Sequence, residues 1–242
     1  MTALLPRQVR PTDPLIRWMG GHHPPPALIA DGANLAWLGR ASRPGESWIT
    51  GLGDDPDVVA RLVVRMAAEH DVDGITVPES VFDLLPARLR SPDPGHWCLW
   101  TLDPARAVLG PTSAVELALD DPRIGPLLEH SDSAHIFPGN PRLVRWAGIL
   151  DGERLVSTAA LLTESSGAGH IVSVCTDPDY RGRGLARDVC TWIIRSAIED
   201  GAPMIVLEMY VANEAGRRTY SALGFSEVGR YKSGLLAHVL DR

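Results

Sequence analysis

At 242 residues, 45% of them hydrophobic, the chain can fill the core of one large domain or two small ones. A formal charge of -7 argues against nucleic acid as the main partner and suits a cationic amine. Cys98, Cys175 and Cys190 are too few and scattered for a disulfide framework or a zinc site, which points to a reducing compartment. The opening Met1-Thr-Ala-Leu-Leu-Pro-Arg7 is too poor in apolar residues for a signal peptide, and no run nears the roughly 20 residues that span a bilayer. A soluble cytoplasmic protein with no membrane partner is therefore expected. Lys232 is the one lysine among 23 Lys and Arg residues, a bias that hints at a bacterial genome rich in G and C.

Residues 1–26 carry Pro6, Pro11, Pro14 and Pro24-Pro25-Pro26, a density of breakers that predicts an irregular arm. His22-His23, beside the prolines and with no further ligand cluster, reads as surface loop rather than as a metal site. Ala27–Asp31, Asn34–Leu38 and Ser47–Thr50 are short strand candidates. Asp55-Pro56 then opens a helix with Val59, Leu62, Val63 and Met66 on one face. Asp73–Val77 and His96–Thr101 resume strands, around a helical stretch from Pro78 to Leu89 broken at Pro86. Residues 27–105 thus predict a small α/β domain without a catalytic cluster. His96, Trp97 and Trp100 read as packing residues in preference to a stacking surface for substrate.

Asp103–Thr112, with Pro104, Gly110 and Pro111, is the natural boundary before a second domain at residues 107–242. A strand over Ala114–Leu119 and a helix capped by Asp120-Asp121-Pro122, carrying Ile124, Leu127 and Leu128, lead to a loop through Ser131, His135 and Pro138–Pro141. Strands Arg142–Leu150 and Arg154–Thr163 join at Asp151-Gly152, a hairpin signal. Ile171–Thr176 is a buried strand ended by Asp177-Pro178, and Leu185, Val189, Trp192, Ile193, Ser196 and Ala197 then fall at helical spacing up to Gly201. Met204–Val211 reads as a central strand interrupted by Glu208. Gly224, Phe225–Gly229 and Ser233–Val239 supply a turn and two last strands.

Between the strand and the helix lies Arg181-Gly182-Arg183-Gly184-Leu185-Ala186-Arg187. The first N–H groups of a helix lack internal partners and carry the positive end of its dipole, so an anion placed there gains several hydrogen bonds. Gly182 and Gly184 permit positive φ and close approach, and the arginines add charge-assisted donors. Arg187 stands where the third glycine of a dinucleotide fingerprint would be, and no Lys-Ser/Thr follows as in a P-loop. The turn therefore suits a diphosphate.

The run Val174–Ala186 resembles the acetyl-coenzyme A motif of the GNAT N-acetyltransferases, Arg/Gln-x-x-Gly-x-Gly/Ala, with Ala186 in the last place. Asn213-Glu-Ala-Gly-Arg-Arg-Thr-Tyr220-Ser-Ala-Leu-Gly-Phe225 is similar to that family's second signature. The resemblance covers roughly residues 107–242. It implies an α+β fold with a central mixed, splayed sheet flanked by helices, preceded here by the smaller α/β domain. That first domain is compatible with a degenerate copy of the same fold, although it keeps no Arg-x-x-Gly-x-Gly/Ala remnant. The implied activity is transfer of acetyl from acetyl-coenzyme A to a primary amine in a ternary complex, without a metal, by a monomer or homodimer.

By the same resemblance, Val174, Cys175 and Thr176 meet the pantetheine arm, Arg181 to Arg187 and Asn213 hold the cofactor, and Tyr220 is the acid for the departing thiolate. An amine with pKa near 10 must lose a proton before it attacks, and acid and base steps are worth about 10²–10⁴-fold each. Glu208 is the candidate base, because a carboxylate in an apolar strand is costly unless used or paired, with a structural salt bridge to Arg217 or Arg218 as the equal alternative. His170 and Glu164 are reserve bases. Cys175 reads as a small strand residue more readily than as an acyl carrier. The rival readings are a non-catalytic acyl-coenzyme A sensor or assembly module, and a donor other than acetyl.

Overall fold

The computed structural model describes residues 5–19, 24–40 and 46–240. The chain divides into two compact units, residues 1–99 with 229–242, and residues 100–228. In the first unit short helices α1 (Pro6–Val9) and α2 (Pro14–Met19) precede strands β1 (Ala27–Asp31), β2 (Asn34–Arg40) and β3 (Ser47–Leu52). Helix α3 (Pro56–Glu69), strand β4 (Gly74–Pro78), helix α4 (Glu79–Phe82) and strand β5 (Gly95–Leu102), whose last three residues belong to the second unit, follow. The arm was expected to be irregular, yet Pro6 and Pro14 each stand at the first helical position, where a missing N–H costs nothing and φ is already set. Leu15 and Ile16 are then buried. His22 and His23 lie outside the described residues.

Asp55 accepts from the N–H groups of Asp57 and Val58 and Pro56 follows it, so α3 starts where the sequence places it. Its Val59, Val63 and Met66 pack on Ala36, Ile49, Ile75 and Val77 of the sheet. Full burial of such side chains is worth about 1.5–3 kcal/mol each. Strands β1, β2 and β3 pair antiparallel, and β3 pairs parallel to β4 through the α3 crossover.

The second unit contains β6 (Val115–Leu117), α5 (Ile124–Leu128), β7 (Leu143–Asp151), β8 (Arg154–Thr163), β9 (Gly169–Thr176), α6 (Leu185–Glu199), β10 (Ile205–Tyr210) and α7 (Glu214–Ala222). Its sheet is mixed. Strands β6 to β9 are antiparallel neighbours, and β10 runs parallel to β9, with α6 as the crossover. The hairpin loop is Gly152-Glu153, one residue later than expected, because Asp151 and Arg154 still pair. Val189, Cys190, Ile193, Ile194 and Ala197 form the buried face of α6.

The two final strands expected at 225–229 and 233–239 are instead one strand, β11 (Ser226–Leu235), followed by helix α8 (Ala237–Leu240). Gly229 does not adopt a positive φ and no turn forms, so the ladder runs on to pair Tyr231–Leu235 antiparallel with β4. Among the described residues no helix is long and apolar enough to cross a membrane.

What positions the site is a split in the second unit's sheet. β9 and β10 pair only at Gly169 with Ile205 and His170 with Val206. Beyond them a bulge interrupts the other ladder of β9, where Ser173 takes φ +52° and donates its hydroxyl to the Ile136 carbonyl. The strands therefore splay, and main-chain groups of β9 from Val174 onward face an opening rather than β10.

Candidate active site

The Gly-Arg turn between β9 and α6 forms a nest of donors. Gly182 and Gly184 take φ of +77° and +80°, in the left-handed region open to glycine without strain. Six consecutive main-chain N–H groups, Gly182 to Arg187, have no acceptor among the described residues. Four belong to the free first turn of a helix and two to the turn before it, so partial positive charge converges on one spot. A Cβ built on either glycine would meet nothing within 4 Å. The space is open for a bulky anion.

Neighbouring side chains brace this turn. Asp177 accepts from the Asp179 N–H and from Arg154, and Tyr180 donates to Asp151 at 2.6 Å. The Arg154 and Arg183 guanidinium groups both lie over the Tyr180 ring, 5.3 and 4.7 Å from its centroid. Ser113 donates to the Asp188 carboxylate and Thr112 to its carbonyl, which fastens the segment before β6 to the first turn of α6.

A cavity of about 500 Å³ opens on the nest and runs beside the splayed edge of β9. Its walls include Val174, Cys175 and Thr176 on one side and Asn213, Gly216 and Tyr220 on the other. Asn213 caps α7 by accepting the Gly216 N–H at 2.8 Å, so it serves the helix while it lines the cavity. Tyr220 packs edge-on to Phe225, and its hydroxyl makes no hydrogen bond among the described residues. Burial, helped by the nearby charges of Cys190 and Glu208, holds the phenol well above its ordinary range. It stays a proton donor at any physiological pH. The Cys175 thiol donates to the Leu127 carbonyl and burial pushes its pKa up, so it is a poor nucleophile.

The base candidates converge as one linear array. His170 bridges Glu164 through Nδ1 at 2.8 Å and Glu208 through Nε2 at 2.7 Å, and Arg142 donates to Glu164 at the outer end. Burial alone would push the imidazole down, but the charges of Glu208 and Glu164 and their hydrogen bonds hold it up to about 9. His170 is therefore an imidazolium at neutral pH. Because this folded value exceeds the ordinary 6.5, the array's stabilisation is complete below 6.5 and is lost as pH rises through about 9. Thermal melts should fall between pH 7 and 10 by the equivalent of at most about 3 kcal/mol more in the wild type than in His170→Gln. Parallel melting curves for the two proteins would refute the imidazolium.

Of the residues expected to hold the cofactor, Val174, Cys175, Thr176, Arg181, Gly182, Gly184, Leu185, Ala186, Arg187 and Asn213 all line the cavity. Arg183, expected with them, instead covers Tyr180 and donates to the Asp179 carbonyl. Tyr220 lines the cavity, whereas Glu208 is held by His170. The salt bridge from Glu208 to Arg217 does not form, because Arg217 pairs with Glu227 and lies over Trp100. The loop through Ser131 does supply cavity wall, at Ser131 and Ser133, whereas sequence reading gave no place there to His130 and offered Arg218 only as a partner for Glu208. Sequence reading also missed the bridging role of His170, although its register neighbour Val206 lies two residues before Glu208 on the adjacent strand.

Comparison with known proteins agrees with this geometry. Residues 113–225 match the model of the Acetyltransferase (GNAT) family. The chain is similar to human N-acetylaspartate synthetase, 25% identical over 103 residues that cover 41% of this chain and 34% of that protein. It is also similar to N-alpha-acetyltransferase MAK3 of Arabidopsis thaliana, 34% identical over 62 residues, 26% of this chain and 33% of that one. These matches span about a third of the relatives' own length. A GCN5-related N-acetyltransferase from Kribbella flavida superposes with a TM-score of 0.60 at 16% identity, covering 100% of this chain and 99% of that one. A GNAT-family structure from Novosphingobium aromaticivorans gives 0.58 at 19%, covering 96% of both. At these identities the structures speak to the fold, a mixed α/β architecture with a splayed sheet flanked by helices.

Proposed function

We propose, from the premise that residues 113–225 are a domain of the GNAT acetyltransferase family, that the protein moves acetyl from acetyl-coenzyme A to a primary amine by direct attack. The observation that carries this reading is the run of six unpartnered N–H groups at residues 182–187 opening onto a cavity that contains Tyr220. The diphosphate sits on those amides, with Arg181 and Arg187 adding charge. The pantetheine arm lies along the free edge of β9 at Val174–Thr176, its amides pairing as an added strand would.

Glu208 takes the proton from the ammonium form of the acceptor. His170, as an imidazolium, donates through Nε2 to Glu208 and through Nδ1 to Glu164 and holds the base in place, and Glu208, whose side chain is 26% exposed, passes the proton on to solvent. The neutral amine attacks the thioester carbonyl, the new C–N bond forms, the C–S bond breaks, and Tyr220 protonates the departing thiolate. No acyl-enzyme is formed, consistent with a Cys175 thiol tied to a main-chain carbonyl. The two curated relatives bear names that denote acetylation of a nitrogen, which supports an amine acceptor.

Thiol release from acetyl-coenzyme A, screened over amines, amino acids and peptides, tests this reading. Tyr220→Phe should lower kcat by about 10²-fold with coenzyme A affinity unchanged, since the lost group acts only in the transition state. A wild type that binds coenzyme A yet releases no thiol with any acceptor, or a Tyr220→Phe variant with full kcat, would contradict it.

A further inference from the structure

The first unit holds a built cavity that the acetyltransferase reading does not use. One face of its sheet is closed by α3; on the opposite face Trp37, Thr50, Thr76 and Ser233 stand directly across from one another on β2, β3, β4 and β11. Trp48 lies along the same face, its six-membered ring seated on Gly74, where a Cβ would come within 2.1 Å of Cζ3. Trp97 stacks on Tyr231 with centroids 4.7 Å apart. Trp37, Trp48, Trp97 and the hydroxyl row, together with Leu15 and Trp18 of α2, wall a cavity of about 480 Å³, within the range of small-molecule sites. Four indoles line one cup.

The polar atoms of that cup define what it takes. The Trp48 Nε1–H donates to Thr76 Oγ1 at 2.9 Å, the Trp97 Nε1–H donates to Ser233 Oγ at 2.8 Å, and the two hydroxyls are 2.8 Å apart. Both indole N–H groups are thus committed to the floor and turn apolar surface to the cavity. The hydroxyl pair holds two protons and uses one between its oxygens. One O–H donor and one lone pair remain, with no partner among the described residues. Leaving them dry is costly. Glu46 also lines the cup but is already engaged with a partner of its own, so a quaternary or alkyl ammonium would leave the hydroxyl donor unanswered, whereas a flat ring bearing a hydroxyl answers both groups while stacking on the indoles.

We propose that this cup is a second ligand site, for a small planar aromatic molecule with a phenolic hydroxyl. Calorimetric titration of the full chain with 2-naphthol should give saturable binding below 1 mM, with naphthalene and choline at least tenfold weaker. Gly39→Leu is the blocking variant. Gly39 lines the cavity, and a Cβ there meets only ordinary contacts near 3.9 Å, so the strand tolerates the side chain while it fills the cup. It should abolish 2-naphthol binding with the melting temperature within a few degrees of wild type. Thr76→Val should reduce the preference for 2-naphthol over naphthalene to within about twofold. Absence of saturable binding, equal binding of naphthalene or choline, or undiminished binding in Gly39→Leu would overturn the proposal.

Discussion

Gly184→Val should lower kcat/KM for acetyl-coenzyme A by about 10³-fold while the protein stays folded. The φ of +80° costs a non-glycine residue about 1–2 kcal/mol, more for a β-branched one, so a fall of several degrees in melting temperature is expected. The loss of activity has another cause. The new Cβ touches no protein atom within 4 Å, but its methyl groups stand over the unpartnered N–H groups proposed to hold the diphosphate. Losing two charge-assisted hydrogen bonds of about 2 kcal/mol each gives the stated factor. Gly201→Val separates the two effects. Gly201 has the same φ of +80° and equally open surroundings, just past the other end of α6. It should lose the same stability and keep its kcat/KM; equal losses of activity in both variants would trace the effect to strain.

Glu208→Gln should cost about 10²–10³-fold in kcat at pH 7, because the amide keeps a contact with His170 but cannot accept the ammonium proton. The deficit should shrink with pH. An alkylamine with pKa near 10 is roughly one part in 10³ free base at pH 7, and each unit of pH raises that share about tenfold. The variant's rate should therefore climb with unit slope toward pH 10, where bulk solvent does the work of the base. A variant with wild-type kcat at pH 7 would remove Glu208 from the chemistry. One that never recovers at high pH would mean that the substitution damaged binding.

How much of this was written in local sequence differs by element. The strand, turn and helix around Arg181–Arg187 were legible because breakers, period and cap lie within 30 residues of one another. The splay was expected only by resemblance; its physical cause, a bulge at Ser173 with positive φ, leaves no sequence signal, since serine rarely adopts that conformation. In the Glu164–His170–Glu208 array the antiparallel β8–β9 hairpin brings Glu164 to His170, and the register of the parallel strands β9 and β10 brings in Glu208, 38 residues beyond His170. Nearness in sequence offered Arg217 or Arg218 to Glu208 as an equal alternative, and Glu227 on β11 pairs with Arg217 instead. The last strand was divided at a glycine because turn chemistry was read where ladder pairing with β4 prevails. The tryptophan cup was hidden for a related reason: its row of hydroxyls exists only once three strands from distant parts of the chain are in register.

Crystals grown with acetyl-coenzyme A test the central claim, the grip on the donor's diphosphate, most directly. Oxygens of that group should lie about 2.7–3.2 Å from main-chain nitrogens between Gly182 and Arg187, with the thioester sulfur beside the Tyr220 hydroxyl. A diphosphate bound elsewhere, with those nitrogens facing only water, would contradict the account.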